Sequence, residues 1–573
     1  MKWAWVLICV VAGLALLVCG LLMPAHLRAV DASLLEAAAN GKTTLLEDGR
    51  TLAMEKNLGA AQMMVAAARV AAIPGWDRLG ATVTNLAQQN PGAWFWGDDA
   101  RVENLFGNNF NSPPQNAQAF AGFIVQQKNR EAALATLENS KNSAVQELLR
   151  SRSLNHTVLF PPPQSAAGQA FDTAVSICGL LMDGNHLTAN LSGNILALAA
   201  AANHGGGSEP LEQTLMDFMS LGERFNWDQL TAFVAKIQNA GTLHLLADEA
   251  RNAGEKLPVL FAAVQLSGEP ANVAQYVANF NETGLPDLGA SLHYGAGGVN
   301  ELAKSEKRFY DPKVERRVTE FNPFGSFFYS AAKFSFGNPP LALAVKWFCY
   351  WLAGFFFAGA LHCGRPAESP LERPLQVRGF YLFREFLFSV GFLLVVLLLS
   401  EPFLAQENQK GNFSLLPRLP MAGGAVAAGI AGLKQTVKPN IMNPTIILTL
   451  LIFFVLQALI YIACLVKLAE IRRQNIPPRM KLKLLENEDH LFDAGLYLGF
   501  VGTIISLIVA SLGLVKFSLM AAYSSTSFGI IFVVIFKIFH LRPARRKLLL
   551  EAEAQNMSEI YVPVATPAPN LPS

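Results

Sequence analysis

Charged residues are scarce. Asp, Glu, Lys and Arg together make up 15% of the 573 residues, against roughly a quarter in soluble domains. That deficit excludes an ordinary, fully solvated surface and points to contact with lipid. The net charge is only +2, and no basic patch is interleaved with aromatic residues. Nucleic acid is therefore excluded as a partner. Cysteine is sparse too: Cys9, Cys19, Cys349, Cys363 and Cys464 lie in or beside apolar segments, and only Cys178 lies in the middle of the chain. A disulfide framework needs pairs, so the middle region has none. There is no CxxC or other zinc spacing, and the nine scattered histidines form no HExxH. With no nucleophile–base pair and no metal spacing, the chain does not read as an enzyme. Its catalytic, cofactor-binding and metal sets are empty.

Phosphate loops are missing as well. Asn40-Gly41-Lys42-Thr43-Thr44 resembles the end of one, but Glu36 stands where the motif needs its first glycine. A helix rather than a strand precedes it, and Gly41 reads as the cap of that helix. Tyr294-Gly295-Ala296-Gly297-Gly298 reads as a turn between helices.

What the chain does hold is long apolar runs. Trp3 to Met23 is unbroken and preceded by Lys2. Such a run spans a hydrocarbon core of roughly 30 Å. It exceeds the usual signal-peptide core of about 7–15 residues, and Pro24-Ala25-His26-Leu27-Arg28-Ala29 matches a cleavage site poorly. The run therefore favours an uncleaved anchor over a cleaved signal; either exports the middle of the chain. Five further spans lie at about 341–361, 380–400, 445–466, 496–515 and 518–538.

The positive-inside rule orients them. Arg365, Arg373 and Arg378, then Lys467, Arg472, Arg473, Arg479, Lys481 and Lys483, then Arg542, Arg545, Arg546 and Lys547 fall on one side. That side is the cytoplasm, and the six spans thread with both termini inside. Lys346 and the Arg384–Glu385 pair sit near span ends, where charges snorkel or pair. Asp493 is interfacial. No Asp or Glu lies in mid-span, and a self-contained proton carrier generally needs a titratable group there.

Residues 30–335 read as helical. Leu230, Phe233, Val234 and Ile237 recur at helical spacing, as do Val273, Tyr276, Val277 and Phe280. Glycine or proline interrupts the stripes at Gly222, Gly241, Gly254, Gly268-Glu269-Pro270 and Gly284, and breaks occur at 108–116, Pro161-Pro162-Pro163 and Gly205-Gly206-Gly207. Short helices in series suggest a solenoid-like array. The apolar runs at 175–182 and 195–202 are interrupted by polar residues and read as buried core helices.

The expected fold is thus all-α: a polytopic helical membrane protein with a large extracytoplasmic, solenoid-like α-helical domain. Its parts are an anchor or signal segment (1–25), the extracytoplasmic domain (26–335), two membrane helices (336–402), an external loop (403–444), a three-helix region (445–550) and a disordered cytoplasmic tail (551–573).

The functional signal lies in the last two spans. One reads Gly495-Leu496-Tyr497-Leu498-Gly499-Phe500-Val501-Gly502-Thr503-Ile504-Ile505-Ser506, with Thr503, Ser506 and Ala510 on one face. The other carries Ser524-Ser525-Thr526-Ser527-Phe528-Gly529-Ile530, with hydroxyls all round one turn. Small residues of this kind let helices approach closely, and Gly495 with Gly499 makes a GxxxG.

At these residues the chain resembles the MotA/TolQ/ExbB proton-channel family. Gly499-Phe500-Val501-Gly502-Thr503-Ile504 matches the family's GxxGTV, and Ser525-Thr526-Ser527-Phe528-Gly529-Ile530 matches its ATxxGL pattern. The resemblance covers about 445–550. It implies pore-lining hydroxyls at Thr503, Ser506, Thr526 and Ser527, and helix packing at Gly495, Gly499, Gly502 and Gly529. It makes 445–466 the outer, lipid-facing helix. It also implies a bacterial inner-membrane homo-oligomer around a small single-span partner that carries an intramembrane Asp. The rival expectation is a non-conducting membrane scaffold whose helical domain binds protein partners.

Overall fold

The computed structural model describes residues 2–106, 119–154, 158–160, 168–311, 324–364, 380–403, 444–511 and 519–560. The breaks expected at 108–116 and 161–163, most of the 403–444 loop, Arg365, Arg373 and Arg378, the end of the tail, and the side chains of Arg384 and Ser506 lie outside them. The described chain is all-α apart from two three-residue strands. It divides into two compact units. One is Pro24–Pro339 with Asn408–Gly411; the other is Met1–Met23 with Pro340–Glu407 and Asn412–Ser573.

The Pro24–Pro339 unit is a series of short helices, and local signals set their starts. Thr44 and Glu47 form a reciprocal capping box, as do Asn226 and Gln229. Gly41, with φ of +70°, follows the helix Ala32–Ala39 as its left-handed cap. The predicted stripes face inward: Leu230, Phe233, Val234 and Ile237 are fully buried, and so are Val273, Tyr276 and Val277. The apolar run at 175–182 belongs to the helix Gly168–Asp183, whose Val175, Ile177, Cys178 and Leu181 lie in the core.

Two details differ from the sequence reading. Ala29–Asp31 pairs in parallel with Arg308–Tyr310, in the register Ala29 to Arg308. Three residues are too few to show a period of two. Yet this pairing joins the beginning of the unit to its end. The glycine run at 294–298 is also more than a turn. Gly295 makes the turn at φ +60°, but Gly297 and Gly298 lie inside the helix Gly295–Ser305. A Cβ on Gly297 would strike the Ala38 carbonyl of the helix Ala32–Ala39. These glycines let two helices touch backbone to backbone.

The core holds one titratable group with a consequence for stability. Asp228 accepts the Ala60 N–H at 2.9 Å, at the start of the helix Leu58–Val70. Burial pushes its carboxyl up to about 7, although the Ala60 and Gly59 N–H groups pull the other way. The folded state therefore holds a proton that the unfolded chain, with a pKa of about 3.9, releases. Stability from this group is complete below pH 4 and is lost as pH rises towards 7, by on the order of 4 kcal/mol. Asp228→Asn should flatten that slope. Thermal melts of the full chain in detergent between pH 4.5 and 7.5, followed by tryptophan fluorescence, read it directly. Equal slopes for the two proteins would refute the assignment.

In the other unit, four helices are long and apolar enough to cross a membrane: Trp3–Leu21, Pro339–Gly364, Phe453–Arg473 and Tyr523–Gln555. At the two remaining expected spans, the described apolar segments are shorter, Phe388–Leu397 and Ala494–Ile504. Large apolar side chains such as Trp5, Ile8, Phe348, Leu399 and Phe500 point outward, as lipid contact requires. Lys346, expected to snorkel or pair, pairs at 3.3 Å with Glu401, just past the helix Phe380–Ser400. Both side chains are buried.

Candidate site: a glycine-lined hairpin

Three helices build the site. The helix Ala494–Ser511 packs against Leu519–Phe536, and Pro444–Arg473 lies across them. Glycine sets how closely the first two approach. A Cβ on Gly499 would lie 2.8 Å from the Ser525 carbonyl oxygen, and one on Gly529 would lie 2.6 Å from the Gly495 carbonyl oxygen. On Gly502 it would meet the Ser525 hydroxyl at 2.5 Å. At Gly499 and Gly529 the obstacle is backbone, so a side chain there would force the helices apart; small residues of this kind are what permit tight helix pairs in lipid.

This proximity brings two of the expected hydroxyls together. Thr503 Oγ1 and Thr526 Oγ1 are 2.5 Å apart. Each also lies near the Gly499 carbonyl oxygen, at 3.1 and 3.2 Å; with one proton apiece, one hydroxyl donates to that carbonyl and the other to its partner's oxygen. Thr503 is buried, whereas Thr526 keeps an exposed flank. Ser527 is not part of the pair: it is exposed and bonds to Tyr523 O of its own helix at 3.0 Å. Its neighbours Ser524 and Ser525 are buried instead. Gly495, Gly499, Gly502 and Gly529 all stand in the contact seam.

Gln457 is the residue that sequence reasoning missed. It sits in the middle of the helix expected to face lipid, yet it is buried, and its Nε2 donates to Gly495 O at 3.0 Å. Among the described residues Gln457 Oε1 has no hydrogen-bond partner, and it faces Gly495. A glutamine inside Ile452–Ala463 was the available signal, because an amide in hydrocarbon seeks a partner. The other flank of the same helix does face outward, through Leu451, Phe454 and Leu456.

One end of the hairpin is charged. Asp493 pairs with Lys537 at 2.7 Å, and Asp489 with Arg545 at 3.0 Å. Beneath them the helices Pro478–Asn487 and Arg542–Ile560 close on a small core of Cys464, Leu468, Leu485, Phe492 and Phe536. Thr526 is eleven residues from Lys537, or about 16 Å along the helix. That distance is half of a hydrocarbon core of roughly 30 Å. The hydroxyl pair thus lies midway along the apolar stretch. It can accept and pass hydrogen bonds, but it has no acid or base of its own. Among the described residues no group of His, Cys, Asp or Glu could hold a metal ion.

Compared with protein-family models, curated proteins and solved structures, the chain matches none of them.

Proposed function

We propose that this chain is a membrane subunit of an ion channel or transport motor driven by the proton-motive force, of the MotA/TolQ/ExbB type. The observation that carries the reading is the Thr503–Thr526 hydroxyl pair, held midway along an apolar hairpin by glycine contacts. In this reading several copies ring the transmembrane helix of a small partner in the bacterial inner membrane. The partner supplies the titrating Asp. The exposed flank of Thr526 faces the shared path, where it orders water and hands protons to that Asp. Each proton crossing releases about 2.3 kcal/mol per 100 mV, which the ring converts into movement of the partner. The helical domain is extracytoplasmic, a solenoid-like array that gathers the partner or an envelope substrate.

A second reading has its own support. Both threonines already satisfy each other and Gly499 within one chain, as residues that only pack would. The chain is then a non-conducting scaffold whose helical domain binds proteins. Purification of the full chain in mild detergent, followed by native mass spectrometry, tests the first reading. It expects several copies holding a small single-span protein with an Asp in its span. A lone chain with no such protein would defeat it.

A further inference from the structure

Within the Pro24–Pro339 unit the helix Ala32–Ala39 packs against the helix Phe324–Gly337. The two do not close completely. Residues of both line a cavity of about 500 Å³, a size at which small molecules are bound (roughly 300–1,000 Å³). Its walls differ in chemistry. Phe328, Ala332 and Phe336 recur at every fourth position of one helix and, with Tyr329, give an apolar and largely aromatic wall. The facing helix brings carboxylates: Asp31 at its N-cap and Glu36 further along. Asp311, next after the strand Arg308–Tyr310, adds a third. Among the described residues that line the cavity, Lys333 is the sole cation. The site is therefore net negative and opposed by rings.

Acidic side chains in a cleft are usually no more than solvated, but Asp31 is only 1% exposed. One of its oxygens has a structural task. Oδ1 accepts the Ser33 N–H at 2.8 Å and the Ser33 hydroxyl at 2.6 Å, which caps the helix Ala32–Ala39. The other has none: among the described residues no group donates a hydrogen bond to Oδ2. His26 Nε2 stands 3.8 Å from it, beyond hydrogen-bond reach. A buried carboxylate oxygen is costly without a donor. Water would satisfy Oδ2 but gains nothing from the rings opposite. An ammonium ion gains from both, because it donates N–H to the carboxylate and its charge is attracted to ring faces.

We propose that this cavity binds a primary organic ammonium ion with an apolar tail. The head donates to Asp31 Oδ2, and the charges of Glu36 and Asp311 add to the negative potential around it. The tail lies along Phe328, Tyr329 and Phe336. Exposed Lys333 opposes the cation and tempers its affinity. A free amine and the headgroup of a phosphatidylethanolamine lipid share this chemistry. The site belongs to a different unit from the Thr503–Thr526 pair, and it holds for a motor and for a scaffold alike.

Isothermal titration calorimetry of the full chain in an uncharged detergent tests the site, with 2-phenylethylammonium as the probe. Saturable binding is expected, with Kd at or below about 1 mM. 2-Phenylethanol has the same tail and no charge, and 3-phenylpropionate carries the opposite charge. Both should bind at least about tenfold more weakly. Asp31→Asn preserves the cap on Ser33 and should weaken the probe at least about tenfold. Glu36→Gln lies at an exposed position, so it leaves the fold intact, and should weaken it about threefold. Lys333→Gln should tighten it about twofold, and Tyr329→Leu should weaken it about threefold. Soluble dihexanoyl phosphatidylethanolamine separates the sources. Competition with the probe assigns the site to a headgroup and its absence to a free amine; either result upholds an ammonium site. No saturable binding up to about 10 mM, or equal affinity for the ammonium ion and the alcohol, overturns it. So does native affinity in both Asp31→Asn and Glu36→Gln.

Discussion

Gly529→Val is expected to undo the pairing of the helices Ala494–Ser511 and Leu519–Phe536. The added Cβ would sit 2.6 Å from the Gly495 carbonyl oxygen and 3.3 Å from Gln457 Nε2. The first obstacle is backbone, so no rotamer change relieves it and the helices must part. Parting them breaks the Gln457–Gly495 bond and the Thr503–Thr526 contact together. Overpacking of a tight site costs about 1–3 kcal/mol, and each hydrogen bond broken within the membrane adds roughly 0.6 kcal/mol. The expected loss is therefore about 3 kcal/mol. Cys464 reports it, because it is buried in the small core at the charged end and its thiol donates to Leu491 O. Titration with a denaturing detergent should expose Cys464 to a maleimide far earlier in the variant than in the native chain. Gly359→Ala is the control, since nothing stands within 4 Å of a Cβ there. Equal exposure of Cys464 in all three proteins would mean that the glycine contacts do not hold the hairpin.

The physics explains which parts of this molecule could be read from its sequence. Helices long and apolar enough to cross a membrane are legible because composition alone decides them: Trp3 to Met23 carries no charge. Helix starts such as Thr44 to Glu47 and apolar stripes such as Leu230 to Ile237 are local, so they too can be read. The glycine sites were legible because a small residue four positions from another has few other uses in a span. What escaped is pairing at a distance. Lys346 announces that it needs a partner, but nothing in its neighbourhood names Glu401. The strands at Ala29 and Arg308 are separated by most of the Pro24–Pro339 unit. The phase of the hydroxyl run could not be read for another reason. Four successive hydroxyls surround the helix, so the pattern fixes no phase, and only packing reveals that Ser525 and Thr526 face Ala494–Ser511 while Ser527 turns away.

Thr526→Val is the substitution that separates motor from scaffold. Valine keeps the branched shape of threonine and removes only its hydroxyl. The neighbouring Thr503 keeps its own bond to Gly499 O at 3.1 Å, so no buried donor is orphaned. The cost in stability is that of one intramembrane hydrogen bond, roughly 0.6 kcal/mol, too little to disturb assembly. Proton passage is another matter, because a methyl group can neither orient water nor accept a proton in transit. The loss resembles removal of a single positioned donor, which costs on the order of 100-fold where it acts on developing charge. Partner-dependent proton uptake into vesicles holding the reconstituted complex should therefore fall by at least about tenfold, while copy number by native mass spectrometry stays the same. Thr526→Ser restores the hydroxyl and should recover most of the flux. A scaffold predicts something different: no partner-dependent flux in any of the three proteins, with partner binding unchanged. If instead the valine variant conducts as well as the native chain, then the Thr503–Thr526 contact is packing alone, and any proton path runs elsewhere.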